Sequence, residues 1–228
     1  MIKPYYETKL GKLYYGDCLE IMPQLEPVDL VLTDPPYGLT DWNNRGTNKK
    51  GPFDSEETQL WDKPIDKKTI ELLFKFGKHQ IIWGANHFLE LLKNTKQLFI
   101  WNKKLRGMHF NDCEIAWCSQ FREACRIFDF HPALNSNKKH PTQKPLELFM
   151  WCIFQAQRAI NIISIGDPFL GSGTTAIACE RLKIKWIGIE ISEKYCEIAA
   201  KRIEENLTVM ERIERSEKGI TKKTGLLF

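Results

Sequence analysis

The sequence predicts an α/β protein: a doubly wound, mostly parallel sheet with an antiparallel hairpin. Three observations carry this. Short apolar runs alternate with amphipathic stretches along the 228 residues, the pattern of repeated βα units. Leu30-Val31-Leu32 is a continuous apolar run, as a parallel strand covered on both faces requires, and Pro35-Pro36 cut it off because neither can donate to a ladder. Near the C-terminus a glycine-rich turn, "DPFLGSGTT", lies between a strand-like run and a helix-like one.

Taken in order, Leu13–Tyr15 reads as a short strand and residues 17–24 as a helix with Leu19 and Met22 inward. Val28–Thr33 is the next strand. Residues 39–64 are polar, rich in Asn and Gly and without a sustained period; so long a loop in a compact domain is usually functional or mobile. Residues 66–76 are an amphipathic helix, 80–83 a buried strand, and 88–92 a short helix after an Asn86 cap. Residues 98–101, 114–118 and 125–128 are strands that include the hairpin, and Pro145 opens a helix running to about Ala159. Then come a strand at 162–165, the glycine-rich turn, a helix at 175–182 and a strand at 186–189 ending at Glu190. Ser192 caps a helix over 193–205. The organisation expected is one domain over 1–210 and a charged, mobile tail over 211–228 ending in Leu226-Leu227-Phe228.

Composition narrows the class. Hydrophobic content of 43% and charged content of 27% are those of a globular protein with ample core. No apolar run approaches the ~20 residues of a membrane span, and "MIKPYYETKLGK" lacks a secretion signal's apolar core. The seven cysteines are scattered without a C-x-x-C pair, so they read as reduced thiols in a cytoplasmic protein with no metal site.

Two constellations carry chemistry. Gly171, Ser172 and Gly173, between strand and helix, let a ligand approach backbone N–H groups, and Glu190, ending the next strand, can bind both hydroxyls of a ribose. Asp167 ahead of the glycines repels a pyrophosphate but suits the ammonium of an amino acid, which favours adenosyl-methionine over a dinucleotide. The second constellation is "TDPPYG". Asp34 and the Pro35 carbonyl can each accept a hydrogen bond from an exocyclic –NH₂ of a flat base, and Tyr37 can stack on its ring.

Together these stretches resemble the amino-type DNA methyltransferases that use S-adenosyl-L-methionine. "TDPPYG" is similar to their catalytic motif and "DPFLGSGTT" to their cofactor motif. Their order, with "YYGDCLEIMPQL" before the first and "HPTQKPLELF" before the second, is that of the circularly permuted β group. The resemblance spans residues 12 to about 205, loosely in the middle third. It implies a Rossmann-like methyltransferase sheet, with a catalytic set of Asp34, Pro35, Pro36 and Tyr37. The cofactor site it implies comprises Asp17 with Cys18, Thr142 and Lys144, Asp167, Pro168 and Phe169, Gly171 to Thr174, and Glu190. Within it, Asp17 would take the adenine amino group and Lys144, with Thr142, the cofactor carboxylate. Trp83, Asn86 and His87 could line the base pocket, with His87 preferred as an ordinary histidine of a capped helix.

The resemblance further implies site-specific methylation of adenine N6 in a base flipped from the duplex, with restriction–modification as its setting. The motif's initial Asp leans to adenine; the alternatives are cytosine N4 methylation and a catalytically silent DNA-binding subunit. Protein-glutamine methyltransferases, whose motif typically starts with Asn, rank low. Lys49, Lys50, Lys103, Lys104, Arg106, Lys138 and Lys139 sit in irregular segments and suit phosphate contact with double-stranded DNA. Only residues 102–140 are available for target recognition, which is short for the family. A homodimer is a further candidate assembly. The tail's Leu-Phe ending loosely resembles peptides that bind bacterial sliding clamps, without their usual glutamine.

Overall fold

The computed structural model describes residues 2–38, 64–107, 111–132 and 144–224, with side chains in the last stretch to residue 210. Its strands are β1 (Tyr6–Glu7), β2 (Gly11–Tyr15), β3 (Val28–Thr33), β4 (Gly77–Trp83), β5 (Leu98–Asn102), β6 (Cys113–Cys118), β7 (Arg126–Asp129), β8 (Ser164–Asp167) and β9 (Lys185–Glu190). Its helices are α1 (Cys18–Ile21), α2 (Lys67–Phe76), α3 (Leu146–Gln157), α4 (Thr174–Leu182) and α5 (Glu193–Thr224). The strands form one sheet in the order β1-β2-β9-β8-β3-β4-β6-β5-β7. Pairing is parallel from β2 to β4, while β6 runs against both β4 and β5.

The continuous apolar reading of the central strands has its reason in the packing. Leu30 and Leu32 of β3, with Ile81 and Trp83 of β4, enter a core that contains Leu148 and Ile153 of α3, Ile177 of α4 and Ala199 of α5. Val31 and Ile82 point the other way, into a second core with Ile70, Leu73 and Phe76 of α2 and Ile21 of α1. Both faces are covered, so no residue of these runs can be polar without a partner. Asp66 opens α2 by accepting from the Thr69 amide at 2.8 Å, and Asp17 opens α1 by accepting from the Leu19 amide at 2.8 Å.

The α/β sheet, its parallel centre and its hairpin are as expected, and several details differ. The hairpin is β5–β6; β7 lies beside β5 and parallel to it. Asn86 caps nothing: 88–92 is not a single helix, and two short 3₁₀ turns, Ala85–His87 and Leu89–Leu91, follow Gly84. Pro145 is the cap of α3 rather than its first residue. The helix α5 runs on to Thr224, through residues assigned to a separate tail. That stretch contains no proline and is rich in Glu, Arg and Lys, so no backbone chemistry stops the helix before Gly219. The end, 225–228, and the loop 39–63 lie outside the described residues, as do Lys49, Lys50, Lys138 and Lys139. No helix among the described residues is long and apolar enough to cross a membrane.

Candidate active site

Parallel strands deliver their last residues to one edge of the sheet, and that edge collects the predicted residues. β3 ends at Thr33 and hands the chain to Asp34; β8 ends at Asp167; β9 ends at Glu190, which is in register with Tyr15 of β2. Because β6 runs antiparallel, it begins at this same edge and brings in Glu114. The neighbours β3 and β8 lead away in opposite directions along the sheet, the switch point at which open α/β sheets bind ligands. Thr33 Oγ1 donates to Asp167 Oδ1 at 2.7 Å across that point and ties the two motif-bearing strands together.

On the β3–β4–β6 side the carboxylate of Asp34 is held by side chains. Tyr37 Oη donates a short hydrogen bond to Oδ1, and the Lys144 ammonium sits 2.5 Å from Oδ2. Lys144 also donates to Tyr37 Oη at 3.1 Å and pairs with Glu114 Oε2 at 2.9 Å. Glu114 is in turn paired with Lys103 at 2.6 Å, so four charges alternate in sign from Asp34 to the segment after β5. Burial pushes the Asp34 carboxyl up; Lys144 opposes this and Glu114 reinforces it. Burial alone would pull Lys144 down, but Asp34, Glu114 and Tyr37 hold it well above the usual lysine range. Burial works against Glu114 too, yet Lys144 and Lys103 bring it down to about 2. Burial and the Asp34 charge keep the Tyr37 phenol protonated.

The aromatic wall is set by one glycine. Gly84, at φ +73°, lies under Tyr37, and a Cβ there would fall 1.9 Å from the tyrosine Cε1. Only glycine lets the ring lie flat on this turn. His87 then stacks on Tyr37, with ring centroids 4.6 Å apart and planes 12° from parallel. Its ring is therefore packed on the site, and the turn it stands in, Ala85–His87, has no side-chain cap. Trp83, by contrast, is fully buried in the core, and Asn86 is exposed.

On the β8–β9–β2 side the carboxylates are held mainly by backbone N–H groups. Glu190 accepts from the Gly171 amide at 2.7 Å and the Ser192 amide at 2.9 Å, which binds the glycine-rich turn to the strand beside it. Asp167 accepts from the Phe169 amide at 3.1 Å and from the hydroxyls of Thr33 and Thr175. Burial pushes its carboxyl up to about 6. The Gly16 amide donates to the Glu190 carbonyl at 2.9 Å and so sets Asp17 beside Glu190. Burial pushes the Cys18 thiol up to about 12, which makes it a packing group rather than a nucleophile. On α5, Arg202 donates to the Ser172 carbonyl and, at 2.7 Å, to its hydroxyl.

This half-site fits a nucleoside cofactor bearing an amino acid. Gly171, at φ +53°, has nothing within 4 Å of where a Cβ would stand, so open space adjoins the turn next to the Glu190 carboxylate. Asp17, Glu190 and Asp167 supply acceptors for amino and hydroxyl groups, and three carboxylates held, among the described residues, by amides and hydroxyls do not favour a pyrophosphate. Pro168 and Thr174 are buried and frame the turn with Phe169, which is partly exposed. Thr142 lies outside the described residues. Lys144 is placed against Asp34, Tyr37 and Glu114 on the other side of the site.

The sequence reading missed Glu114, Gly84 and Thr33. A glutamate at the start of a strand is unremarkable until the antiparallel course of β6 is known. Lys103 faces Glu114 and Lys104 pairs with Asp129 at 3.4 Å, so both have carboxylate partners where phosphate contact was expected; Arg106 is exposed.

A strand-end D-P-P-Y acid tied to a glycine-rich nucleoside half-site defines an amino-group methylase, and comparison with known proteins agrees. The family model for DNA methylases matches residues 48–201, well over half of the chain, and the protein belongs to that family. It is 25% identical to the Type II methyltransferase M2.LlaDCHI of Lactococcus lactis subsp. cremoris, over 91% of this chain and 94% of that one. It is 27% identical to the Type II methyltransferase M2.MboI of Moraxella bovis, over 92% and 94%. Among solved structures, the M1.HpyAVI–SAM complex superposes with a TM-score of 0.53 at 25% identity, covering 85% of this chain and 99% of that chain. The cytosine-N4-specific PvuII DNA methyltransferase, at 19% identity and a TM-score of 0.61, shares the fold.

Proposed function

We propose that this chain is a site-specific DNA methyltransferase that transfers a methyl group from S-adenosyl-L-methionine to the exocyclic N6 amine of an adenine flipped out of the duplex. The observation that carries this is the Thr33–Asp167 hydrogen bond, which sets Asp34 one residue from the strand pair bearing the nucleoside half-site. A base held by Asp34 is thereby beside the cofactor's place.

When bound, S-adenosyl-L-methionine supplies an activated methyl group. The protein's task is then to present the amine. Its lone pair is delocalised into the purine ring, and two hydrogen bonds from its N–H groups, to Asp34 and to the Pro35 carbonyl, favour a more tetrahedral nitrogen. Pro36 keeps the chain out of the sheet so that the Pro35 carbonyl is not taken by a ladder. Tyr37, backed by His87, offers the base a flat surface. Alignment supplies most of what remains, and no covalent enzyme intermediate is required. In the cofactor site, Glu190 would receive the ribose hydroxyls, Asp17 with Cys18 the adenine edge, and Asp167, Pro168, Phe169 and Gly171 to Thr174 the methionine end.

We assign 39–64 to substrate contact and 102–140 to target recognition on double-stranded DNA, both on the sequence reading alone. Cytoplasmic location, a homodimer and a clamp contact through the C-terminal Leu-Phe ending rest on the sequence reading alone. The initial Asp of the motif favours adenine over cytosine N4. The test is long-read sequencing of DNA from a methylation-free host expressing the protein. N6-methyladenine in a fixed motif is the expected result; N4-methylcytosine would move the assignment to the sister activity, and unmodified DNA would overturn it.

A further inference from the structure

Lys144 stands in "HPTQKP", the stretch that precedes the cofactor motif, and it is 5% exposed with its ammonium against the acid expected to hold the base. We propose that Lys144 is a positioning residue for methyl transfer, keeping Asp34 ionised as an acceptor for the target amine, and that Glu114 fixes Lys144 in place. The proposal rests on the reading of Asp34 above and deepens it.

The geometry is that of a charge network in which Lys144 is buried and Asp34, Glu114 and Lys103 are part-buried. Asp34 sits between Lys144 at 2.5 Å and Tyr37, and an amine can donate to it only while it is a carboxylate. A protonated Asp34 would itself donate and compete with the amine's own hydrogens. In a site closed to water an unpaired carboxylate takes a proton, so a cation has to stand beside it. Lys144 is that cation among the described residues. A lone lysine would withdraw to solvent or lose its own proton, and the second carboxylate, Glu114 at 2.9 Å, prevents both. Lys103 at 2.6 Å neutralises the far oxygen of Glu114. The charged and titratable groups facing Asp34 are then Lys144, Tyr37 and Glu114, with Asp167 across the switch point, Lys103 behind Glu114 and His87 behind Tyr37.

The network predicts shifts in a pH profile, which a merely structural role would not. In Lys144→Met the cation is gone, Asp34 holds its proton to higher pH, and the acid limb of the kcat–pH profile moves up by at least about one unit. In Glu114→Gln the hold on Lys144 is lost, and the same limb moves up, by less than in Lys144→Met because the repulsion Glu114 exerts on Asp34 goes with it. Lys144→Arg keeps the charge and keeps the wild-type limb. All three variants bind S-adenosyl-L-methionine in calorimetry within a few-fold of wild type.

An unmoved limb in Lys144→Met together with a tenfold or greater loss of S-adenosyl-L-methionine affinity overturns the proposal and returns Lys144 to the cofactor's carboxylate. A limb that moves down in Glu114→Gln also overturns it, because Lys144 would then stay in place without Glu114. Should Lys144→Met fail to give a cooperative melt, ¹³C-carboxyl NMR of the aspartate-labelled wild-type protein decides. An Asp34 ionised from pH 6 to 8 supports the proposal and one protonated through that range overturns it. The NMR measurement needs no turnover, so it separates failure of this proposal from failure of the methyltransferase reading, which an inactive wild-type protein would announce.

Discussion

The two halves of the carboxyl edge hold their acids by different means. Around Glu190, Asp17 and Asp167 the partners are largely backbone amides from the same or the next element: Gly171, Ser192, Leu19 and Phe169. Around Asp34 and Glu114 they are side chains, near ones such as Tyr37, three residues from Asp34, and distant ones such as Lys144, 110 residues beyond it. Amide-held carboxylates cost little reorganisation and leave the turn rigid for a cofactor whose shape does not vary. Side-chain-held carboxylates can change partners, which suits the base proposed to arrive there and leave. The Thr33–Asp167 bond is where the rigid half is fastened to the adjustable one.

The sharpest way to break this comparison is Asp34→Ala. Methyl transfer, followed by labelled methyl incorporation into DNA, should be abolished while cofactor affinity in calorimetry stays within a few-fold. Loss of both together would mean that the halves are not separable.

Gly84→Ala should come next. It combines a positive φ with a methyl driven into the Tyr37 ring, so both the ring and its stack on His87 must move. A fall in kcat of about tenfold or more, equivalent to at least ~1.4 kcal/mol, is expected at saturating cofactor, with cofactor affinity retained. Gly171→Ala is the counterpart on the other half: open space surrounds it, so the backbone strain of about 1–2 kcal/mol should appear in stability and cofactor binding, with kcat preserved.

On the cofactor side, Glu190→Ala should weaken S-adenosyl-L-methionine binding by roughly 1–3 kcal/mol, the scale of lost hydrogen bonds to a charged group. Activity should return in part at high cofactor concentration because Asp34 is untouched. Unchanged affinity would remove Glu190 from the ribose site.

The smallest effect concerns the fastening itself. The folded Asp167 carboxyl is raised from 3.8 to about 6 by burial, so between those values the folded protein binds the proton and the unfolded chain does not. Stability should therefore fall as pH rises from 4 to 6, by a few kcal/mol at most. Urea melts across this window should show that slope in the wild type and a flatter one in Asp167→Asn. A slope that survives the substitution would place the titrating group elsewhere.

Much of the cofactor half was legible because its chemistry is local. A strand run, "DPFLGSGTT" and a strand-terminal Glu190 lie within about thirty residues, and short-range backbone bonding turns that order directly into a turn. The continuous apolar runs likewise announced strands covered on both faces, because alternate residues of Leu30-Val31-Leu32 enter two different cores. Other boundaries were less legible. The charged stretch 211–224 looked like a tail since nothing in its pattern says whether helix or coil prevails, and the helix begun at Glu193 carries through it.

By itself the sequence determined the α/β class and the strand ends at Thr33 and Glu190, while the strand read over 162–165 runs over Ser164–Asp167 and so ends on Asp167. Only the tertiary structure decided what surrounds Asp34. Glu114 reaches the site because β6 runs antiparallel, Tyr37 lies flat because Gly84 leaves room, and Lys144 faces the acid and Glu114 from the approach to α3. Those are contacts between residues far apart in sequence, and both packing and Coulomb attraction depend on distance in space, which no spacing along the chain records.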